Sequence, residues 1–200
     1  MRTKEAVDEI VIEEVVPDLT FANDPSYYPE KLYDTLFKMD FINSIQKLYP
    51  NAKDWITKVY SEIKRGDGSH RLFAMRNNKY RITYGFYVIK DDKVGNMKKI
   101  CTLFVFNKYR NRGLGKILLK DAVSKLNYSK DNMIYCTVAN CKFKRLLYFF
   151  MDNGFCYWDR RRNFYKREFI RNLIDGNIRN SHLGDEHIFM YKNANDITYQ

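Results

Sequence analysis

Seven residues, Arg110 to Lys116, combine positive charge with two closely spaced glycines, and an apolar-periodic stretch follows at once in "YRNRGLGKILLKDAV". The first turn of a helix leaves several backbone N–H groups without intrahelical partners, and the helix dipole makes that end positive. Glycines allow a tight turn and a close approach of backbone to ligand. Arg110, Arg112 and Lys116 add charge, and an arginine can hold a phosphate through two donors at once. A diphosphate fits such a place. The spacing by itself is modest evidence. There is no third glycine of a dinucleotide fingerprint and no Gly-Lys-Ser/Thr of a P-loop. A tight strand–helix connection with solvated arginines uses the same residues.

The surrounding elements must position that turn. "DEIVIEEVV" (Asp8–Val16) alternates apolar and acidic and reads as a strand, stopped by Pro17. Pro29 opens a helical stretch with Leu32, Leu36, Phe41, Ile45 and Leu48 on its apolar positions, broken at Pro50. A second helix carries Trp55, Val59 and Ile63 and ends at Gly66. "RLFAM", "YRITYGFYVI" and "KKICTLFVF" are three strand-like runs joined by "NN" and "DDKVGN", short enough for an antiparallel meander. The helix after the glycines has Leu114, Ile117, Leu118, Ala122 and Leu126 apolar. Then come a strand "NMIYCTV", a helix "CKFKRLLYFFMDN" capped by Gly154, a strand "FCYW", a basic stretch over 159–185 and a last strand "EHIFMYK". The chain reads as one domain over 1–200, with 159–185 inserted between the last two strands.

The composition suits a globular chain of 200 residues that buries a real core: 45% hydrophobic and 16% aromatic. No apolar run is long enough to span a bilayer, and "MRTKEAVDEI" shows no signal peptide, so a cytoplasmic protein with no membrane partner is expected. Cys101, Cys136, Cys141 and Cys156 lack CxxC spacing and read as free thiols. His182 and His187 are too sparse to argue for a metal, and no metal is expected. The charge is uneven. Residues 1–40 carry a net −6, so the remainder carries +17 of the overall +11. That balance favours an anionic partner such as a nucleotide, nucleic acid or membrane surface, without choosing among them; solubility is the alternative account.

"CTLFVFNKYRNRGLGKILL" resembles the signature of the GNAT N-acetyltransferase superfamily: an apolar strand, a short link, then Arg/Gln-x-x-Gly-x-Gly/Ala opening a helix. Arg110, Gly113 and Gly115 match that pattern. The element order agrees over roughly residues 8–160 and 186–192. The resemblance implies an α/β (α+β) GNAT fold, a twisted, mixed but mostly antiparallel sheet of about seven strands with helices on both faces. It further implies acetyl-CoA as co-substrate. The pantetheine would run along the strand at Leu103, Phe104 and Val105. The pyrophosphate would sit on Arg110, Asn111, Arg112, Gly113, Leu114, Gly115 and Lys116, with Asn140 and Lys142 as further contacts, although Asn140 comes earlier than the family's CoA-contacting asparagine, whose place falls at Lys142 or Phe143. The implied reaction moves an acetyl group to a primary amine by direct attack on the thioester.

Such a transfer needs a neutral amine held in line with the carbonyl, a donor for the oxyanion, and proton traffic on both sides. By the resemblance, the oxyanion donor is the Val105 N–H. The acidic base that the family often places on the glycine-side strand is missing from "KKICTLFVF". Glu13, Glu14 and Asp34 are unranked substitutes. The family's acid, a tyrosine just before the "GF" that ends the next helix, is replaced by Phe150, and Tyr148 lies two residues earlier, about 200° around an ideal helix. Tyr148 is the candidate acid, set against a role as a packed aromatic.

The basic stretch interleaves Arg160, Arg161, Arg162, Lys166, Arg167 and Arg171 with Phe164, Tyr165 and Phe169, as a nucleic-acid contact would. This suggests an acceptor amine carried on an anionic partner. A solvated loop or an extra homodimer element explains the same residues. Two other functions stay open: a catalytically weak GNAT-fold module that binds CoA or nucleic acid, and a toxin-like enzyme that acetylates aminoacyl-tRNA.

Overall fold

The computed structural model describes residues 10–15, 52–66, 69–77, 82–92, 97–129, 133–161 and 185–192. The helical stretch expected after Pro29, Asp34, and Arg162, Lys166 and Arg167 of the basic stretch lie outside these residues. Within them the chain runs β1 (Ile10–Glu14), α1 (Ala52–Arg65), β2 (His70–Asn77), β3 (Ile82–Asp92), β4 (Met97–Val105), a single 3-10 turn (Asn107–Tyr109), α2 (Leu114–Lys125), β5 (Met133–Ala139), α3 (Asn140–Met151), β6 (Phe155–Arg161) and β7 (Glu186–Tyr191).

The seven strands form one sheet in the order β1-β2-β3-β4-β5-β7-β6. All neighbours are antiparallel except β4 and β5. The architecture is the mixed, mostly antiparallel sheet expected from the sequence, and the meander β2–β3–β4 holds in register.

Two apolar clusters sandwich the sheet. On one face, Ile56 and Val59 of α1 pack on Leu72, Ala74, Phe86, Val88 and Phe104. On the other, Leu118, Leu119, Ala122 and Leu126 cover Phe73, Tyr87 and Ile100, and Phe150 covers Phe155 and Phe189. Each fully buried leucine there contributes roughly 1.5–3 kcal/mol by burial. Gly85 permits the tight centre of this packing: a β-carbon would overlap the Phe104 carbonyl oxygen and crowd Leu118.

Three local readings change. Ile117 is exposed and Leu119 takes the buried position, because α2 turns its core stripe one residue further round. Asp91 and Asp92, expected in a turn, continue β3 opposite Lys98 and Met97. β6 extends through Asp159, Arg160 and Arg161, because a bulge between Tyr157 and Asp159 lets the basic residues pair with β7. The basic stretch therefore begins inside the sheet.

Candidate active site at the sheet fork

The parallel ladder between β4 and β5 ends at Ile100 and Cys136. β4 continues to Val105 and β5 to Ala139 without pairing to each other, so the sheet forks. The backbone at the fork is polar on purpose. The Phe106 N–H donates to the Tyr84 carbonyl at 3.1 Å and Phe104 stands opposite Phe86. By the alternation of an antiparallel pair, the amides of Leu103 and Val105 then face away from β3, into the fork.

The glycine turn caps the β4 arm. Asn111 and Gly113 both have positive φ, 61° and 79°. Gly113 is the N-cap of α2 and has no side chain to offer the helix start. A β-carbon on Gly113 would meet no protein atom within 4 Å, so the turn needs glycine for its left-handed backbone and leaves an open cradle in front. Among the described residues, no backbone partner serves the amides of Asn111, Arg112, Gly113, Leu114 or Gly115. The Lys116 N–H differs: it donates to the Gly113 carbonyl at 3.0 Å. Arg110 Nε donates to the Val105 carbonyl at 2.9 Å, and its guanidinium lies over the Phe104 ring, so this arginine clips the loop to the strand. Arg112 lies over Tyr109. Lys116 is exposed beside them.

The β5 arm is furnished with side chains. α3 starts directly at its end, with Asn140 as first residue. His187 Nε2 and Asn140 Oδ1 are 2.8 Å apart. With Nε2–H as donor, the asparagine NH2 is left to face outward. Phe143 stacks on the His187 ring at 3.8 Å between centroids. Burial holds the His187 imidazole below its ordinary value, and the Arg160 charge acts in the same direction. Lys142 shares a helix face with Phe149, seven residues on, whose ring lies 3.6 Å from where a β-carbon on Gly115 would stand. Lys142 and Phe149 therefore sit on the side of α3 that meets the glycine turn.

The structure does not bring Tyr148 to that side. Tyr148 is 70% exposed, while Phe150 is buried and stacked on Phe189 at 5.0 Å. Glu13 and Glu14 lie on the edge strand β1, engaged with Arg76 and Arg71. They stand three strand spacings from β4, about 14 Å. Arg160 is paired with Asp185 through Nε at 3.0 Å and Nη2 at 2.5 Å. Sequence reasoning missed Thr137 and Glu186 altogether and met His187 only as a possible metal ligand. Among the described residues, no three His, Cys, Asp or Glu side chains gather as ligands for a metal. The four cysteines are free thiols, and no described helix is long and apolar enough to cross a membrane.

A sheet forked at its one parallel pair, with a helix start presenting bare amides at the tip of one arm, defines a site for an extended ligand with an anionic end. Comparison with known proteins gives this class its family. Residues 44–165 match the family model of the acetyltransferase (GNAT) domain. The chain belongs to the GNAT acetyltransferase family. No curated protein matches it by sequence. Among solved structures it is similar to a GNAT family acetyltransferase from Elizabethkingia anophelis with acetyl-CoA bound, at 21% identity and a TM-score of 0.60, covering 93% of this chain and 99% of that one. A Bacillus subtilis acetyltransferase in complex with CoA aligns at 16% identity and a TM-score of 0.61, over 92% and 99% of the two chains. An IAA acetyltransferase from Bacillus cereus aligns at 16% and 0.59, over 92% and 100%.

Proposed function

We propose that this chain transfers an acetyl group from acetyl-CoA to a primary amine at the fork. The observation that carries the reading is the run of five backbone amides, Asn111 to Gly115, held open at the mouth of α2 on the β4 arm. Those amides and the positive end of the helix suit a pyrophosphate, with Arg112 and Lys116 as exposed charge around it. Arg110 fixes the loop to Val105. Leu103, Phe104 and Val105 form the strand edge along which a pantetheine arm would bond as a strand does. The Asn140 NH2 and Lys142 face it from the other arm. Bound acetyl-CoA supplies the thioester.

The Val105 N–H is the donor for the oxyanion, a fixed dipole that needs no reorganisation as charge develops. The fork holds amine and carbonyl in line, which can itself supply much of the rate. A departing thiol has an ordinary pKa near 8.5, so its thiolate leaves without a dedicated acid. Tyr148 is not required in this scheme. Free thiols on all four cysteines accord with a reducing, cytoplasmic setting. Amines carried on nucleic acid draw their support from the charge of the basic stretch, and Arg160 already spends its charge on Asp185.

Gly113→Asp tests the donor site. An aspartate at φ 79° places a carboxylate beside the pyrophosphate. Calorimetry should show acetyl-CoA affinity reduced ~100-fold or more, about 2.7 kcal/mol, with the fold retained. Gly113→Asn, which tolerates the left-handed backbone without the charge, should lose far less. Equal affinity for Gly113→Asp and wild type would falsify the assignment.

A further inference from the structure

The β4 arm has no carboxylate, yet an alkyl ammonium must lose a proton before it attacks a thioester. The one acidic side chain in the described core is Glu186, the first residue of β7, 1% exposed. Its Oε1 accepts from Thr137 Oγ1 at 3.2 Å. Thr137 is the first residue of β5 beyond the end of the β4 ladder. The carboxylate is thus tied to the crotch of the fork. A carboxylate held in a core needs partners there. The near cation is Arg161, directly opposite Glu186 in the β6–β7 register.

The face is equally specific. His187 stacks under α3, so Glu186, Ile188 and Met190 point to the opposite side of the sheet. Along that side, starting one strand period from Glu186, lies a hollow of about 200 Å³. Met133, Tyr135, Ile188, Met190 and the bulged Trp158 form it, with Asp159 and Arg161 among its polar members. Trp158 and Met133, 62% and 46% exposed, both line the hollow, so the exposed apolar surface there is a patch and not a lone side chain. Ile188 lines the hollow two residues from Glu186, and it pairs with Thr137 on one side and Asp159 on the other.

We propose that Glu186 is the catalytic base and that the hollow receives the apolar or aromatic body of the acceptor, a primary amine. This rests on the acetyl-transfer reading above. The ammonium gives one proton to the Glu186 carboxylate. The neutral nitrogen attacks the thioester carbon, the C–N bond forms, and the Val105 N–H meets the oxyanion. The C–S bond then breaks, the nitrogen's surplus proton goes to the departing thiolate, and Glu186 returns its proton to solvent. The products are the N-acetyl amine and free thiol.

The test compares phenethylamine, methylamine and 4-methylaniline as acceptors, following thiol release, with amine binding read separately by calorimetry. The wild type should prefer phenethylamine over methylamine by ~10-fold or more in kcat/KM, as a filled apolar pocket gives. Glu186→Gln should lower kcat with phenethylamine by ~100-fold or more, the usual contribution of a base. With 4-methylaniline, already neutral at the assay pH, the same variant should lose less than about a tenth of that factor. A merely structural role would slow both amines alike, and that result overturns the assignment. Trp158→Ala, at an exposed position, keeps the test independent of any folding defect at Glu186. It should weaken phenethylamine binding far more than methylamine binding. Equal loss for both amines, or a wild type that acetylates no apolar amine, refutes the acceptor class. Failure of the wild type to bind acetyl-CoA in calorimetry strikes instead at the acetyl-transfer reading.

Discussion

The two arms of the fork solve their tasks with different material. The β4 arm works with backbone: outward amides on Leu103 and Val105, five more from Asn111 to Gly115, and arginines that clip or surround them. The β5 arm works with side chains: Thr137 bonded to Glu186, His187 bonded to Asn140, and Phe143 stacked over the imidazole. A backbone site depends on local conformation, which two glycines at one turn can set. A side-chain site depends on which strands become neighbours. Arms of the first kind suit a ligand that is always the same, and arms of the second kind can be refitted for different amines.

The largest way to break this contrast is to remove the support of one arm alone. Phe150 is buried between Phe155 and Phe189 and anchors α3 to β6 and β7. Phe150→Ala should destabilise the protein by about 3–5 kcal/mol, the usual cost of an aromatic-sized cavity. Urea unfolding measures it. Hydrogen exchange on the variant should show protection lost first in β5, β6 and β7, with β2–β4 retained. Uniform loss across both arms would mean that the sheet answers as one unit and that the arms are not separable.

The same contrast explains what could be read in the chain. The meander, the glycine turn and α3 follow from periodicity and from turn residues lying close together, so β2 to β4, Gly113 and Gly115 were legible. Ile117 was misplaced because Leu118 and Leu119 give two adjacent apolar choices, and only packing on β3 and β4 decides between them. The strand nature of Asp159–Arg161 was hidden because a bulge, not hydropathy, continues the ladder. Glu186 carried no local signal at all. It reads as the polar lead of "EHIFMYK", and its meaning comes from Thr137, 49 residues away.

A smaller effect separates the arms by pH. His187 is 6% exposed, and burial, aided by Arg160, holds its imidazole below the ordinary value of 6.5. A base depressed by folding is neutral in the native state while the unfolded chain still binds a proton. Its contribution to stability is therefore complete above about pH 6.5 and is lost as pH falls from there through the folded value. His70, also depressed by burial despite its contact with Glu62 at 2.6 Å, adds a similar slope on the other half of the sheet. The urea midpoint should thus fall between pH 7 and pH 5. His187→Gln, whose amide can still donate to Asn140, should flatten part of that fall, and the remainder should disappear with His70→Gln. A wild-type midpoint that stays level over this range would contradict the buried, neutral imidazole.

The smallest expected effect is at Tyr148, and its smallness is informative. A general acid that protonates the departing sulfur is worth ~100-fold or more in rate. Tyr148 is 70% exposed, and it lies about 100° around α3 from Phe149, the residue that meets Gly115. Phe150 cannot take the role, because it has no hydroxyl and is buried against Phe189. If the β5 arm contributes through Glu186 and Asn140 rather than through a helix tyrosine, Tyr148→Phe should change kcat by less than about twofold. Steady-state thiol release on phenethylamine decides it. A ~100-fold loss would require α3 to turn its exposed face into the fork during catalysis, and the β5 arm would then have to be described as a moving element. Unchanged turnover leaves the thiolate to depart with the nitrogen's own proton, and places the difference between the arms in their chemistry and not in their motion.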